Sequence, residues 1–178
     1  PSLKLYPNYN DILNHYLPIE TKKYLDHLIQ NNLPVTNLID SDFAFLNQRL
    51  AQHYGIENIT GQKIRKVSLP SKSPRWGLLT MGSVLKVTAD GFDTTPILRG
   101  AWVSKNIIGN TLSPPPENIT AIEPDHSETK NLKEQIEEHK KNKGCFACHK
   151  SIDPYGFALE NFDATGQWRT NYKIMKPH

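Results

Sequence analysis

The stretch KNKGCFACHKSIDPYGFALENFDATGQWR, residues 141–169, holds both cysteines of the chain, Cys145 and Cys148, followed at once by His149. Two thiols three residues apart on one helical turn can reach the two vinyl groups of a haem edge, and the adjacent imidazole then points at the iron. Cys-Phe-Ala-Cys-His can therefore anchor and ligate one haem c. Three other chemistries use the same residue types. A redox dithiol needs its pair at the start of a helix that follows a strand, in an α/β setting, whereas a charged helical stretch and Gly144 precede this pair. A zinc site needs four ligands, usually as two pairs, and no second cysteine pair exists. A plain disulfide here would close a loop too short to constrain the unfolded chain much. Haem attachment is the reading the spacing favours.

A haem iron has a second axial position, and its occupant separates an electron carrier from a catalyst. The chain has two methionines. Met81 lies in the apolar GLLTMGSVL and is the first candidate thioether ligand, with core filler as its ordinary fate. Met175 follows the motif but stands close to the chain end, and His53, at the end of an amphipathic helical pattern, is the reserve. Arg99 and Arg169, with Trp168 and Tyr155, are candidates for the haem rim, because propionates are well served by guanidinium forks and by indole or phenol donors. For Arg99 a surface salt bridge is the competing reading. IDPYGFALENFD reads as a turn at Asp153 and Pro154 and then a short apolar helix, whose Phe157, Leu159 and Phe162 would wall a haem or serve as ordinary core.

The elements that must position these residues begin with two helical patterns. In IETKKYLDHLIQNN, Tyr24, Leu25, Leu28 and Ile29 recur at helical spacing before Asn31 and Asn32. In IDSDFAFLNQRLAQHYGI, Asp40 or Ser41 can cap a helix whose Phe43, Leu46, Leu50 and Tyr54 form a stripe ending at Gly55. Both helices are expected on a shared core. KIRKVSL and GSVLKVTAD, rich in β-branched residues, predict two short strands flanking PSKSPRWG. ILRGAWVSKNIIG predicts a helix with Trp102 and Ile108 inward and Gly109 at its end.

NTLSPPPENITAIEPDHS then predicts a stiff polyproline strap, and Ser127 can cap a charged helix that delivers the chain to Cys145. The expected organisation is a helical region with a small β insertion over residues 1–111, a linker over 112–127 and a haem-attachment segment over 128–178 that packs on the first part. The fold class is mainly α with a small β element, cytochrome c-like only around the Cys-Phe-Ala-Cys-His segment.

Composition narrows the partners. At 178 residues, with 37% apolar residues and 9% aromatics, the chain can bury a core. Its 21 basic and 18 acidic residues are scattered, with no basic arm to neutralise a row of phosphates, so nucleic acid is not an expected partner. No apolar run reaches bilayer length, and the start PSLKLYPNYN has neither Met nor a signal-peptide pattern, which reads as a mature chain or a piece of a longer one.

CFACHKSIDPYGFALENFDATGQWR, together with SPRWGLLTMGSVLKVTADGFDTTPILRGAWV and SPPPENITAIEPD, resembles the C-terminal part of the planctomycete-type cytochrome c domain proteins, from about residue 35 to about residue 172. The resemblance implies a bacterial, extracytoplasmic, multi-module c-type cytochrome, periplasmic or at the cell surface, with Cys145 and Cys148 as thioether cysteines and His149 as proximal ligand. Full-length members carry further modules before this region, which agrees with a fragment or processed subunit. Trp76 after Ser-Pro-Arg, and Phe92 and Asp93 in the Asp-Gly-Phe-Asp turn, depart from the smaller residues expected there. The implied task is electron transfer to a redox partner protein or to other modules. A haem enzyme or ligand sensor with an open distal site, and an interaction module with a structural haem, are the alternatives.

Overall fold

The structure, a computed structural model, describes residues 1–92, 94–110 and 143–171, with only the backbone of residues 143–148. The linker expected over 112–127, most of the charged helix after it, Asp93 and Met175 lie outside the described residues. Two compact units emerge. Of the described residues, 1–92, 94 and 159–171 belong to the first and 95–110 and 143–158 to the second. Among them the protein is mainly helical with one two-stranded antiparallel sheet, as expected.

The first unit opens with α1, Asp11–Gln30. This helix starts two turns earlier than its apolar pattern predicts, because Asn10 caps it: the Asn10 side chain accepts from the Leu13 N–H at 3.0 Å. Leu13, Leu17, Tyr24 and Leu28 are its buried stripe, while Ile29 is 78% exposed. Pro18 is accommodated inside α1 at an exposed position, where water can take the hydrogen bond that the ring withholds from the Asn14 carbonyl. After a 3-10 turn at Val35–Leu38 comes β1, Phe43–Leu46, then α2, Gln48–Tyr54, then β2, Arg65–Ser68. Phe43 pairs with Ser68 and Leu46 with Arg65.

The single helix expected across Phe43 to Tyr54 is thus a strand followed by a helix. Asn47 is the reason: its extended backbone stops the strand, and its side chain accepts from the Leu50 N–H at 3.0 Å to start α2. Gly55 ends α2 at φ 69°, as a left-handed cap. The second strand expected in GSVLKVTAD is instead helix α3, Gly82–Val87. Met81, Val84, Leu85 and Thr88 are all buried, an i, i+3, i+4, i+7 spacing that overrides the β-branched composition. Tyr6, Tyr9, Leu13, Leu17, Ala44, Leu46, Leu50, Ala51, Ile64 and Ala164 form the core, so α1 and α2 do share it.

In the second unit α4, Pro96–Val103, carries proline in its first turn and passes into a π-helical turn, Ser104–Ile108, that ends at Gly109 with φ 80°. Val103 is buried, whereas Ile108 is 44% exposed and Trp102 only partly covered, so the inward pair expected there is corrected. The last helix, α5, runs unbroken over Lys143–Ala158. The turn expected at Asp153 and Pro154 does not form; Pro154 sits exposed inside the helix while its neighbours Ile152 and Asp153 are buried, and their burial outweighs the one hydrogen bond lost.

Candidate functional site

Because α5 is helical through residues 143–158, Cys145, Cys148 and His149 occupy positions i, i+3 and i+4 and share one face. His149 is 6% exposed and Asp153, one turn further on, equally so. Their side chains meet, His149 Nδ1 to Asp153 Oδ1, at 2.8 Å. A carboxylate accepts, so in this bond Nδ1–H donates, and Nε2 is the ring nitrogen turned away from Asp153.

The backbone that presents this pair is held by a close helix crossing. A Cβ on Gly100 of α4 would stand 2.0 Å from the Ile152 carbonyl oxygen, and one on Gly156 of α5 would stand 1.8 Å from the Pro96 carbonyl oxygen. No side chain fits at either place, so the two backbones touch directly over Ile152 to Gly156, the turn that contains Asp153. Arg99, next to Gly100, is fully buried, which removes the surface salt bridge as its role. Tyr155 is 37% exposed and Phe157 partly buried.

The remaining sequence candidates belong to the first unit, for the motif string that reads as one piece divides after Ala158. Phe162 is fully buried and meets the half-exposed Trp168 edge-on, with ring centroids 5.1 Å apart. Arg169 donates to the Glu160 carboxylate at 2.7 Å, to the Glu160 carbonyl and to Thr94 Oγ1, and so closes the Glu160–Arg169 segment on itself. Asp163 organises the turn inside that segment: its Oδ1 accepts from the N–H groups of Thr165 and Gln167 and from the Thr165 hydroxyl. Met81 is buried, and its sulfur accepts from Thr21 Oγ1 at 3.5 Å.

A polar network that sequence reasoning missed fills the first unit. Arg75 is buried, lies 3.4 Å over the Tyr54 ring, and donates to the carbonyls of Thr80 at 2.6 Å and of Gly166. Tyr54 donates to Glu20 Oε2 at 2.5 Å and accepts from the Gly82 N–H at 2.9 Å. Burial pushes the Glu20 carboxyl up to about 7, against the lowering effects of Tyr54 and Arg75. His53 donates from Nε2 to the Thr165 carbonyl at 2.8 Å; burial lowers its pKa to about 4, so it is a neutral side chain at pH 7. Its Nδ1 has no hydrogen-bond partner among the described residues.

The second unit therefore brings together Arg99, the cysteine positions, His149, Tyr155 and Phe157, while Met81, His53, Phe162, Trp168 and Arg169 fall in the first. Asp153 was the missed member of the site, and its signal was legible: a carboxylate four residues after a histidine, the spacing of a helical pair. Two open cavities, one lined by residues such as His15, Arg49 and Gln62 and the other, mainly polar, by Asn8, Arg49, His53 and Gln167, are both made by the first unit.

No curated protein and no solved structure matches the chain. A family model called PSD4, described as a protein of unknown function (DUF1592), matches residues 1–56. The model of PSCyt3, described as a protein of unknown function (DUF1588), matches residues 75–172, taking in both Asp163 with its turn and the whole of α5. That match spans more than half of the 178 residues, and the chain belongs to the PSCyt3 family.

Proposed function

We propose that this chain is a monohaem c-type cytochrome domain that transfers electrons within an extracytoplasmic bacterial multi-module redox protein or complex. The observation that carries the reading is the buried His149–Asp153 pair, one helical step after Cys148 on the face that also holds Cys145. The donor set fits a haem c: two cysteines for the thioethers and an imidazole whose tautomer presents Nε2. Membership of the PSCyt3 family and the resemblance to planctomycete-type cytochrome c domains support it. Among the described residues no helix is long and apolar enough to cross a membrane.

When bound, the haem supplies a one-electron couple between ferric and ferrous iron. Cys145 and Cys148 would hold it through thioether bonds, and His149 would ligate its iron through Nε2. Asp153 keeps the proton on Nδ1 and fixes the ring's rotation, and the glycine crossing of α4 and α5 keeps the backbone from shifting beneath it. The rim roles of Arg99, Tyr155, Trp168 and Arg169, and the wall roles of Phe157 and Phe162, remain part of the proposal, as does Met81 as the sixth ligand.

The test is an absorption spectrum of protein purified from its native host, oxidised and dithionite-reduced, with a pyridine haemochrome and carbon monoxide addition. A c-type α-band that survives denaturation supports covalent haem; no Soret band in such material sinks the reading. One observation favours an open distal site as the second reading: the Met81 sulfur is already engaged by Thr21 in the manner of core filler. Rapid carbon monoxide binding would select that second reading, and indifference to carbon monoxide the carrier.

A further inference from the structure

We infer that Asp153 is a positioning residue that lowers the reduction potential of the haem held at His149, an inference that rests on the c-type haem reading above. The ring nitrogen opposite the iron usually donates to a carbonyl, a water or a carboxylate, and these differ in how far they draw the proton away. Here the acceptor is a carboxylate at 2.8 Å, with both side chains 8% exposed. Asp153 thus leaves the imidazole richer in electrons and a stronger donor through Nε2, which favours ferric over ferrous iron. With water excluded, the interaction acts at a lower effective dielectric and is strengthened.

Burial makes the assignment sharper. An exposed i, i+4 pair on a helix surface contributes a few tenths of a kcal/mol and carries no functional meaning. Asp153 instead faces the desolvation cost of a buried carboxylate, directly beside the glycine crossing that fixes its backbone. The chemistry a haem would supply here is a one-electron change with a protein redox donor, and on the protein side His149 would keep both its bonds and its Nδ1 proton.

The experiment compares wild type with Asp153→Asn and Asp153→Glu, each purified as holoprotein with covalent haem verified first by pyridine haemochrome and mass. Absence of covalent haem from wild type defeats the c-type reading itself. With haem in place, Asp153→Asn, which keeps the shape but weakens the acceptor, is expected to shift the ferrous-to-ferric ratio at fixed ambient potential by at least tenfold, about 59 mV upward for one electron. Asp153→Glu, which keeps a carboxylate acceptor, is expected to shift it upward by less. A haem-loaded Asp153→Asn with an unmoved potential, even if its melting temperature falls, overturns the inference and leaves Asp153 a structural residue. Should Asp153→Asn fail to accumulate, the hyperfine-shifted Nδ1 proton of His149 in wild type decides: protection from solvent exchange supports the bond, and exchange as fast as in a short haem peptide overturns it.

Discussion

In the first unit a buried arginine reaches the carbonyls of Thr80 and Gly166 and lies over the Tyr54 ring, whereas in the second two glycines let helix backbones touch with no side chain between them. The arginine arrangement tolerates loops, because a long side chain with five donors can satisfy carbonyls that no regular element pairs. The glycine arrangement tolerates nothing, because it is set by backbone contact alone. Helix α5, which carries the cysteine positions and His149, is held in the second way. A ligand position that must be kept within fractions of an ångström is better served by backbone contact than by flexible side chains.

The largest effect that would break this comparison is at the crossing. Gly156→Ala places a methyl 1.8 Å from the Pro96 carbonyl oxygen and is expected to cost about 3 kcal/mol or more, read as a shifted denaturant midpoint. Gly55→Ala, whose Cβ would meet nothing within 4 Å but whose φ is 69°, is expected to cost only about 1 kcal/mol. Equal losses at the two sites would remove the distinction drawn for α5.

Arg75→Leu tests the other side. It strands the carbonyls of Thr80 and Gly166 and is expected to lower stability by about 3 kcal/mol, with the Glu160–Arg169 segment losing hydrogen-exchange protection first. A loss below 1 kcal/mol would mean that water replaces the guanidinium at little cost.

The pH response sharpens the polar half of the comparison. Glu20 holds a proton in the folded state that the unfolded chain releases between pH 4.5 and about 7, so its contribution is complete below 4.5 and lost as pH rises through 7. His53 has the opposite sign: it resists a proton that the unfolded chain binds below 6.5, so its contribution is complete above 6.5 and lost as pH falls through about 4. Each amounts to roughly 3 kcal/mol at most, and between pH 4.5 and 6.5 the two oppose each other. Glu20→Gln is therefore expected to uncover an acid-sensitive protein, and His53→Gln one that weakens as pH rises. Parallel pH profiles for the two variants would contradict the assignments.

The smallest expected effect concerns local structure. Asn47→Ala removes the cap that separates β1 from α2 and should cost about 1 kcal/mol by thermal unfolding.

How much was legible follows from the range of the forces involved. α1, the Gly55 and Gly109 ends, and β2 announced themselves through spacing and turn residues, which are local. The boundary at Asn47 is hidden in the sequence because an asparagine within an apolar stripe looks like a helix interior, and only the structure shows its side chain capping Leu50. In α3 the β-branched composition predicts a strand, but packing obeys the helical spacing from Met81 to Thr88. Asp153 and Pro154 predict a turn because sequence shows the lost hydrogen bond and not the burial of Ile152 that offsets it.

By itself, the sequence determined the order of the site: two cysteines and a histidine at spacings that any helix turns to one side, with Asp153 four residues on. Those relations lie within two turns, where backbone geometry alone sets distance. Only the tertiary structure decided that His149 and Asp153 are buried, that Gly100 and Gly156 bring two backbones into contact, and that the string from Cys145 to Arg169 divides after Ala158 between two units. Burial and close approach depend on what arrives from elsewhere in the chain, and no local pattern of residues records that.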